Sequence, residues 1–386
     1  MTNGRRVLLV QPSLQPPGGG NGVAAWILQA LVTDYQVTVL SWEPVDTFAI
    51  NRFFGTNVHG GQFDTIVVPA LWRWLADRLP VPAALLKSAL LMRYARRVSE
   101  SFDIVVGAHN EIDFGRRGIQ FVNYPTYLRP RPPVDFRWYH RSNLLLNFYY
   151  RFADWVAGFS LERMKRNVTL ANSDWTAAHV KRVLGIDART VYPPAADPAP
   201  RPAWAERRTA FVALGRISPE KEYERAMRIL ARVRQRVPEL TFTIIGTSDK
   251  YARRYARQLQ RLGGELGTWI SFRENLSREE VRAALAEHRY GIHAMREEHF
   301  GMSPAEMVRA GMIVWVPSGG GQMEIVGQEP ALLYSTEEEA ASKILHVIQS
   351  GIEQERLTAY LESRAPLFGS ERFMNDIRSI VAAFDR

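Results

Sequence analysis

The chain contains no cysteine, so disulfides, thiolate metal sites and thiol catalysis are excluded at once. No stretch approaches the roughly 20 consecutive apolar residues that a membrane-crossing helix needs. The short apolar run at 7–10 leads directly into a Pro/Gly-rich loop, which does not fit a secretory leader. These two readings make a cytoplasmic location the expectation. No Asp-x-Asp pair offers itself to a divalent cation, and no glycine loop ends in the Lys-Ser or Lys-Thr of a nucleotide triphosphate site. Acidic residues fall short of basic ones, 40 against 49, which leaves a net charge of +9. An anionic partner is implied: nucleic acid, anionic lipid or a diphosphate substrate.

What is present is enough for two cores. A chain of 386 residues is too long for one ordinary domain and comfortable for two. Short apolar runs and helical patterns alternate in both halves, which predicts parallel α/β units. In the first half, strands are expected at 6–10, 36–40, 65–69, 103–106 and 119–123, with a loop over 11–22 and a helix over 23–31. A second series opens with a strand at 168–171 and a helix at 175–184. The Pro-rich stretch 192–202 reads as the linker. Beyond it, strands are expected at 210–214, 241–245, 269–272, 290–294 and 313–316. Helices are expected at 223–236, 250–262, 278–287, 304–310 and 370–384. Ser277 with Glu280 predicts a capping box at the start of the third of these.

The densest signal is Gly291-Ile292-His293-Ala294-Met295-Arg296-Glu297-Glu298-His299-Phe300-Gly301-Met302-Ser303-Pro304-Ala305-Glu306. A strand ends, a loop carries a carboxylate, and a glycine precedes a helix. Ser303 is expected to cap that helix, with Pro304 at its first position and Glu306 completing a capping box. A helix start offers unpaired N–H groups and positive dipole character, which suits a phosphate. Glu298 has no structural task legible in the sequence. A second motif, Gly215-Arg216-Ile217-Ser218-Pro219-Glu220-Lys221, follows an apolar run. Its two cations, bent round a turn, can neutralise a leaving diphosphate.

The spacing Glu298-x-Phe300-Gly301-x-x-x-x-Glu306 resembles the signature of the family 4 retaining glycosyltransferases of the GT-B fold. The wording around it is closest to the lipid-linked-oligosaccharide α-1,2-mannosyltransferase branch, and Ser318-Gly319-Gly320-Gly321 and Glu324-Ile325-Val326 agree. The resemblance implies two Rossmann-like domains facing each other across a cleft. Residues 1–192, completed by a C-terminal helix at 370–386, would bind the acceptor, and residues 193–369 the nucleotide sugar. It implies that Glu298 contacts donor-sugar hydroxyls and Glu306 the ribose. Backbone at Phe300, Gly301, Met302 and Ser303 would hold sugar and β-phosphate, and Arg216 and Lys221 would clamp the diphosphate beside Gly215. Gly246 ends a strand in that domain, and Arg273 borders the base. The donor favoured is GDP-mannose, with a UDP-sugar as the alternative, and no metal or other cofactor is required.

The first half is read more loosely. Gly18-Gly19-Gly20-Asn21-Gly22 follows the first strand, and the resemblance places Gly19 and Gly20 near the donor phosphate. The family commonly has a histidine where Asn123 stands. An asparagine cannot act as acid or base at neutral pH, though it can hydrogen-bond a sugar. His109 and Glu111, with Asn123, are the acceptor candidates, because strand ends of open α/β sheets carry ligand sites. The acceptor implied is a glycan or lipid-linked glycan hydroxyl. The segments 71–97 and 129–166 interleave aromatic residues with arginines, which suits peripheral association with an anionic membrane or basic-faced core helices; nucleic acid is not expected. Two alternatives stand beside a transferase: another enzyme on the same scaffold, such as a sugar-nucleotide epimerase, and a catalytically silent protein that binds membrane or nucleic acid.

Overall fold

The computed structural model describes residues 4–77, 84–125, 143–247 and 253–384. They form two units, Met1–Val191 with Phe373–Arg386, and Tyr192–Arg372.

In the first unit the order is β1 (Arg6–Val10), α1 (Gly19–Leu31), β2 (Gln36–Ser41), α2 (Thr47–Phe54), β3 (Phe63–Val67), α3 (Ala70–Asp77), α4 (Ala84–Val98), β4 (Ile104–Gly107), β5 (Ile119–Val122), α5 (Asn143–Ala157), α6 (Leu161–Met164), β6 (Val168–Ala171), α7 (Asp174–Leu184) and β7 (Arg189–Thr190). The seven strands are ordered β3-β2-β1-β4-β5-β6-β7, and every pairing is parallel. A buried central strand needs apolar residues on both faces, and Val7, Leu8, Leu9 and Val10 supply them. The order turns back between β1 and β4, so the two connections leave in opposite directions and open a crevice at the strand ends.

In the second unit the order is β8 (Arg208–Leu214), α8 (Tyr223–Arg234), β9 (Thr241–Gly246), α9 (Arg253–Leu266), β10 (Ile270–Glu274), α10 (Arg278–Glu287), β11 (His288–Ile292), α11 (Met302–Arg309), β12 (Ile313–Pro317), α12 (Gln322–Ile325), β13 (Leu333–Tyr334), α13 (Glu337–Ile348) and α14 (Gly351–Arg364). Its strands run β10-β9-β8-β11-β12-β13, with the turn-back between β8 and β11. α8 shows why these helices form. Tyr223, Ala226, Met227, Leu230 and Val233 recur at helical spacing and are all buried. Each large apolar side chain so buried contributes roughly 1.5–3 kcal/mol.

The last helix, α15 (Ser370–Ala382), returns to the first unit. Phe373, Ile377, Ile380, Val381 and Phe384 lie in the core formed by β1, β4, β5 and α1. The Phe373 ring meets Phe121 edge-on at 6.1 Å.

Two local expectations fail. α1 begins at Gly19, with Gly18 as its N-cap at φ 148°, four residues before the expected start at 23. The glycines read as loop are its first turn, because flexible residues are tolerated where N–H groups lack intrahelical acceptors. α11 begins at Met302 behind Gly301, whose φ of 109° suits only glycine, and no side chain caps it. Ser303 and Glu306 therefore do not form the expected capping box. The box at Ser277 and Glu280 does form, with Ser277 Oγ accepting from the Glu280 amide and Glu280 accepting from the Ser277 amide. The expected helix start at 250 and residues 78–83 and 129–142 lie outside the described residues.

Candidate active site

The turn-back of the second sheet gathers the chemistry. Lys221 follows β8, and His293 and Glu298 follow β11. Lys221 Nζ donates to the Glu298 carboxylate, and His293 Nε2 lies 3.2 Å from the same Oε2. The side chains of Lys221, Glu298 and His293 are only 13 %, 20 % and 4 % exposed, so water screens this trio weakly. Burial works to raise the Glu298 carboxyl. The Lys221 charge and the neighbouring His293 ring outweigh it and hold the group below the usual carboxylate range. Burial lowers His293, with Lys221 pushing the same way and Glu298 opposing. Around neutrality the trio is thus a carboxylate between an ammonium and a neutral imidazole.

The backbone beneath the trio is fixed from several sides. His293 N–H donates to Trp315 O at 2.9 Å, and Tyr334 Oη donates to His293 O. Arg225, 4 % exposed, reaches Ser335 O at 2.9 Å. The glycine loop after β12 holds the Glu298 segment: Glu298 bridges Gly320, and Gly321 N–H donates to Glu298 O at 2.8 Å. A Cβ on Gly320, at φ 73°, would overlap the Glu298 backbone. Buried Gln322 closes the loop by donating to Met295 O at 2.8 Å and Gly319 O at 2.9 Å. His293 and Gln322 were missed as site residues. Both fall within or beside motifs that the sequence displays, but burial alone reveals their partners.

Above the trio stands the start of α11. Met302 and Ser303 occupy its first two positions, where N–H groups have no intrahelical acceptor, and Pro304 has no N–H. Gly215, at φ 147°, comes close to it: a Cβ there would lie 3.5 Å from Ser303 Oγ and 3.7 Å from Lys221 Cε. Gly246 in turn has no room for a Cβ against the Gly215 carbonyl. The two expected glycines thus lie together beside Lys221 and the Ser303 side chain at the start of α11, where backbone donors and a lysine suit an anion. Arg216 is 66 % exposed and pairs with Glu220 at 3.3 Å, away from the Lys221–Glu298 pair. Arg273 is exposed on the edge strand β10. The Phe300 ring is buried and stacks on Tyr192 at 5.9 Å, so its side chain belongs to the core. Glu306, one turn into α11, feels burial that raises its carboxyl, opposed by Arg278 and a hydrogen bond from the Ala196 backbone.

In the first unit the turn-back gathers a second set. A Cβ on Gly20 would stand 3.5 Å from Asn123 Nδ2, so the glycine start of α1 lies against the end of β5. Gly19 is exposed beside it. Asn110, at φ 55°, accepts from the Asn123 and Tyr124 amides at 3.0 and 3.1 Å. Asn172 Nδ2 donates to Asn123 O at 2.9 Å. Burial lowers His109, and Glu111 is buried. Asp113, two residues further on, is fully buried against Arg163 at 2.7 Å.

Residues 199–364 match the family model described as glycosyl transferases group 1. The human protein named GDP-Man:Man(3)GlcNAc(2)-PP-Dol alpha-1,2-mannosyltransferase is 29% identical over 254 residues, 60% of this chain and 51% of that one. The Xenopus laevis protein of the same name is 28% identical, over 55% of this chain and 47% of its own. The chain thus spans about half the length of the curated relatives it matches. Among solved structures, Anabaena HepE in complex with UDP superposes with a TM-score of 0.70 at 14% identity, over 98% of this chain and 100% of that one. WaaG, a glycosyltransferase involved in lipopolysaccharide biosynthesis, gives 0.64 at 15%, over 96% and 99%. Two parallel-sheet Rossmann-like domains with these neighbours constitute the GT-B fold.

Proposed function

We propose that this chain, whose residues 199–364 match the glycosyl transferases group 1 family, is a retaining mannosyltransferase that uses GDP-mannose. The observation that carries the reading is the Lys221–Glu298–His293 trio under the start of α11. The amides of Gly301, Met302 and Ser303 bind the donor phosphates beside Gly215, whose close packing Gly246 permits. Lys221 leaves Glu298 for the diphosphate as the donor enters, and Arg216 swings from Glu220 to the same charge. Glu298, released and ionised, accepts hydrogen bonds from the mannose hydroxyls. Glu306 takes the ribose and Arg273 the border of the base. The relatives' printed name supports GDP-mannose and a lipid-linked acceptor.

In the transfer, the bond from mannose C1 to the leaving phosphate oxygen breaks, and a bond from C1 to the acceptor oxygen forms on the same face. The acceptor proton passes to the leaving phosphate, and GDP departs. Such a reaction depends on positioning and on charge neutralisation at the diphosphate more than on a protein base. Asn123 in place of histidine is compatible with it, as a hydrogen-bonding group. Gly19 and Gly20 serve through their amides, and His109, Glu111 and Asn123 serve the acceptor glycan. Neither an epimerase nor a silent binding protein gains support from the comparisons.

The test is nucleotide release from GDP-mannose, UDP-glucose and UDP-N-acetylglucosamine, with and without EDTA. GDP release that exceeds UDP release at least tenfold and survives EDTA is expected. No release and no binding with any donor would end the transferase reading, and loss of activity in EDTA would end its metal-independence.

A further inference from the structure

Helix α5 is apolar on two opposite faces, and among the described residues only one of them is covered by the fold. Tyr150, Ala153 and Ala157 point into the core with Val156 beside them. Leu144, Phe148, Phe152 and Trp155 are 85 %, 71 %, 41 % and 71 % exposed. At about 100° per residue these four fall within a stripe roughly 80° wide, opposite the buried face. Phe152 and Trp155 stack on each other at 5.9 Å, which presents them as one slab. A stripe of four large apolar side chains along three turns is not the scattered exposure of an ordinary surface.

The charge beside this stripe is mainly positive. α4 packs alongside α5 in the same direction: Leu86 N–H meets Tyr149 Oη, and Arg93 donates to Val156 O at 3.1 Å. At the end of the two helices lies a basin of about 550 Å³ whose lining includes Arg93, Arg96, Arg97 and Arg116 against a single carboxylate, Glu100. Arg93, Arg97 and Arg116 are exposed, as is Arg151 next to the stripe on α5. Arg93 and Arg96 donate to carbonyls at the end of α5, which fixes them without neutralising them. An aromatic stripe ending in a tryptophan beside fixed arginines matches the boundary between acyl chains and anionic headgroups.

We propose that α5 is a membrane-docking helix, with Leu144, Phe148, Phe152 and Trp155 set among the outer acyl chains of an anionic bilayer and the arginine basin holding phospholipid headgroups. This goes beyond the transferase reading and does not depend on it. If the transferase reading also holds, a surface-bound chain would meet a lipid-linked acceptor in two dimensions.

Flotation of the 386-residue chain with phosphatidylcholine vesicles, with and without phosphatidylglycerol, is the test. At least tenfold more protein should float with the anionic vesicles at low salt, and high salt should abolish the difference. Phe148→Ser with Trp155→Ser should lower the bound fraction at least fivefold while the thermal melt is unchanged. Arg93→Gln with Arg97→Gln should remove the preference for anionic vesicles. If the double aromatic variant fails to fold, Leu144→Asp carries the same test. Wild-type protein that stays at the bottom overturns the proposal, as do aromatic variants that float like wild type. So does sedimentation velocity showing a dimer that the aromatic variant dissolves, or RNA binding that the same variants abolish in place of flotation. Donor hydrolysis without vesicles should be equal in wild type and the aromatic variants, so a transferase failure is read separately.

Discussion

Glu298 has a place in the fold and, in the proposed reaction, one at the donor sugar. Its carboxylate is shared by Lys221 and His293, so removing its charge leaves a mostly buried ammonium without a counter-ion. Glu298→Gln should cost about 2 kcal/mol in urea unfolding at pH 7, since breaking a shielded pair from one side is expensive. A folded-state carboxyl held below its unfolded value stabilises above the unfolded value, and the benefit is lost as pH falls through the folded one. The gap between wild type and variant should therefore close in strong acid; a gap independent of pH would show that the pair is not its cause. In activity, Lys221→Ala should lower kcat/KM for GDP-mannose by about 10²–10³-fold, the scale of one lost group stabilising a leaving charge. Glu306 behaves in the opposite sense. Burial raises its carboxyl, so ionising it costs folding energy as pH rises from its unfolded value through the raised one. Glu306→Gln should melt above wild type at pH 7 and level with it at pH 4, while KM for the donor rises. A variant that melts lower at pH 7 would mean that the Arg278 contact outweighs burial.

At the scale of elements, the glycine loop after β12 is what makes Glu298 rigid. Gly320→Ala places a Cβ against the Glu298 backbone at a positive φ. It should destabilise by about 2–4 kcal/mol and weaken donor binding even in molecules that remain folded, because the carboxylate moves with its backbone. Unchanged donor affinity by calorimetry would show that the loop is only a connector. The sequence announced this loop as a motif and the strands on either side as apolar runs, because period and spacing are local properties. It misplaced the start of α11, since Ser303-x-x-Glu306 is a fair helix start and only the chain path shows Gly301 taking the N-cap. Glu298 had no legible structural task for the same reason: its partners stand 77 residues before it, at Lys221, and 22 after it, at Gly320. His293 is in plain view in the motif, yet its role needs the burial that the sequence does not display.

The described residues fall into two units, and the chain returns to the first after completing the second. Phe373 is 1 % exposed within the core around β1, β5 and α1, so Phe373→Ala should cost that core about 3–4 kcal/mol. The effect should appear in hydrogen exchange as faster opening of β1, β4 and β5, with β8, β9 and β11 little changed. GDP should act on the other core. A ligand that binds only the folded state adds RT ln(1 + [L]/Kd), about 2.7 kcal/mol at a hundredfold excess over Kd. The added protection should concentrate where amides face the diphosphate, at the start of α11 and the β8 turn carrying Lys221. Because the two perturbations load different cores, Phe373→Ala should leave the GDP protection of α11 nearly intact, as distant sites generally add. Protection by GDP centred on β1 and α1 instead would move the donor to the glycine start of α1 and reverse the division of labour between the units.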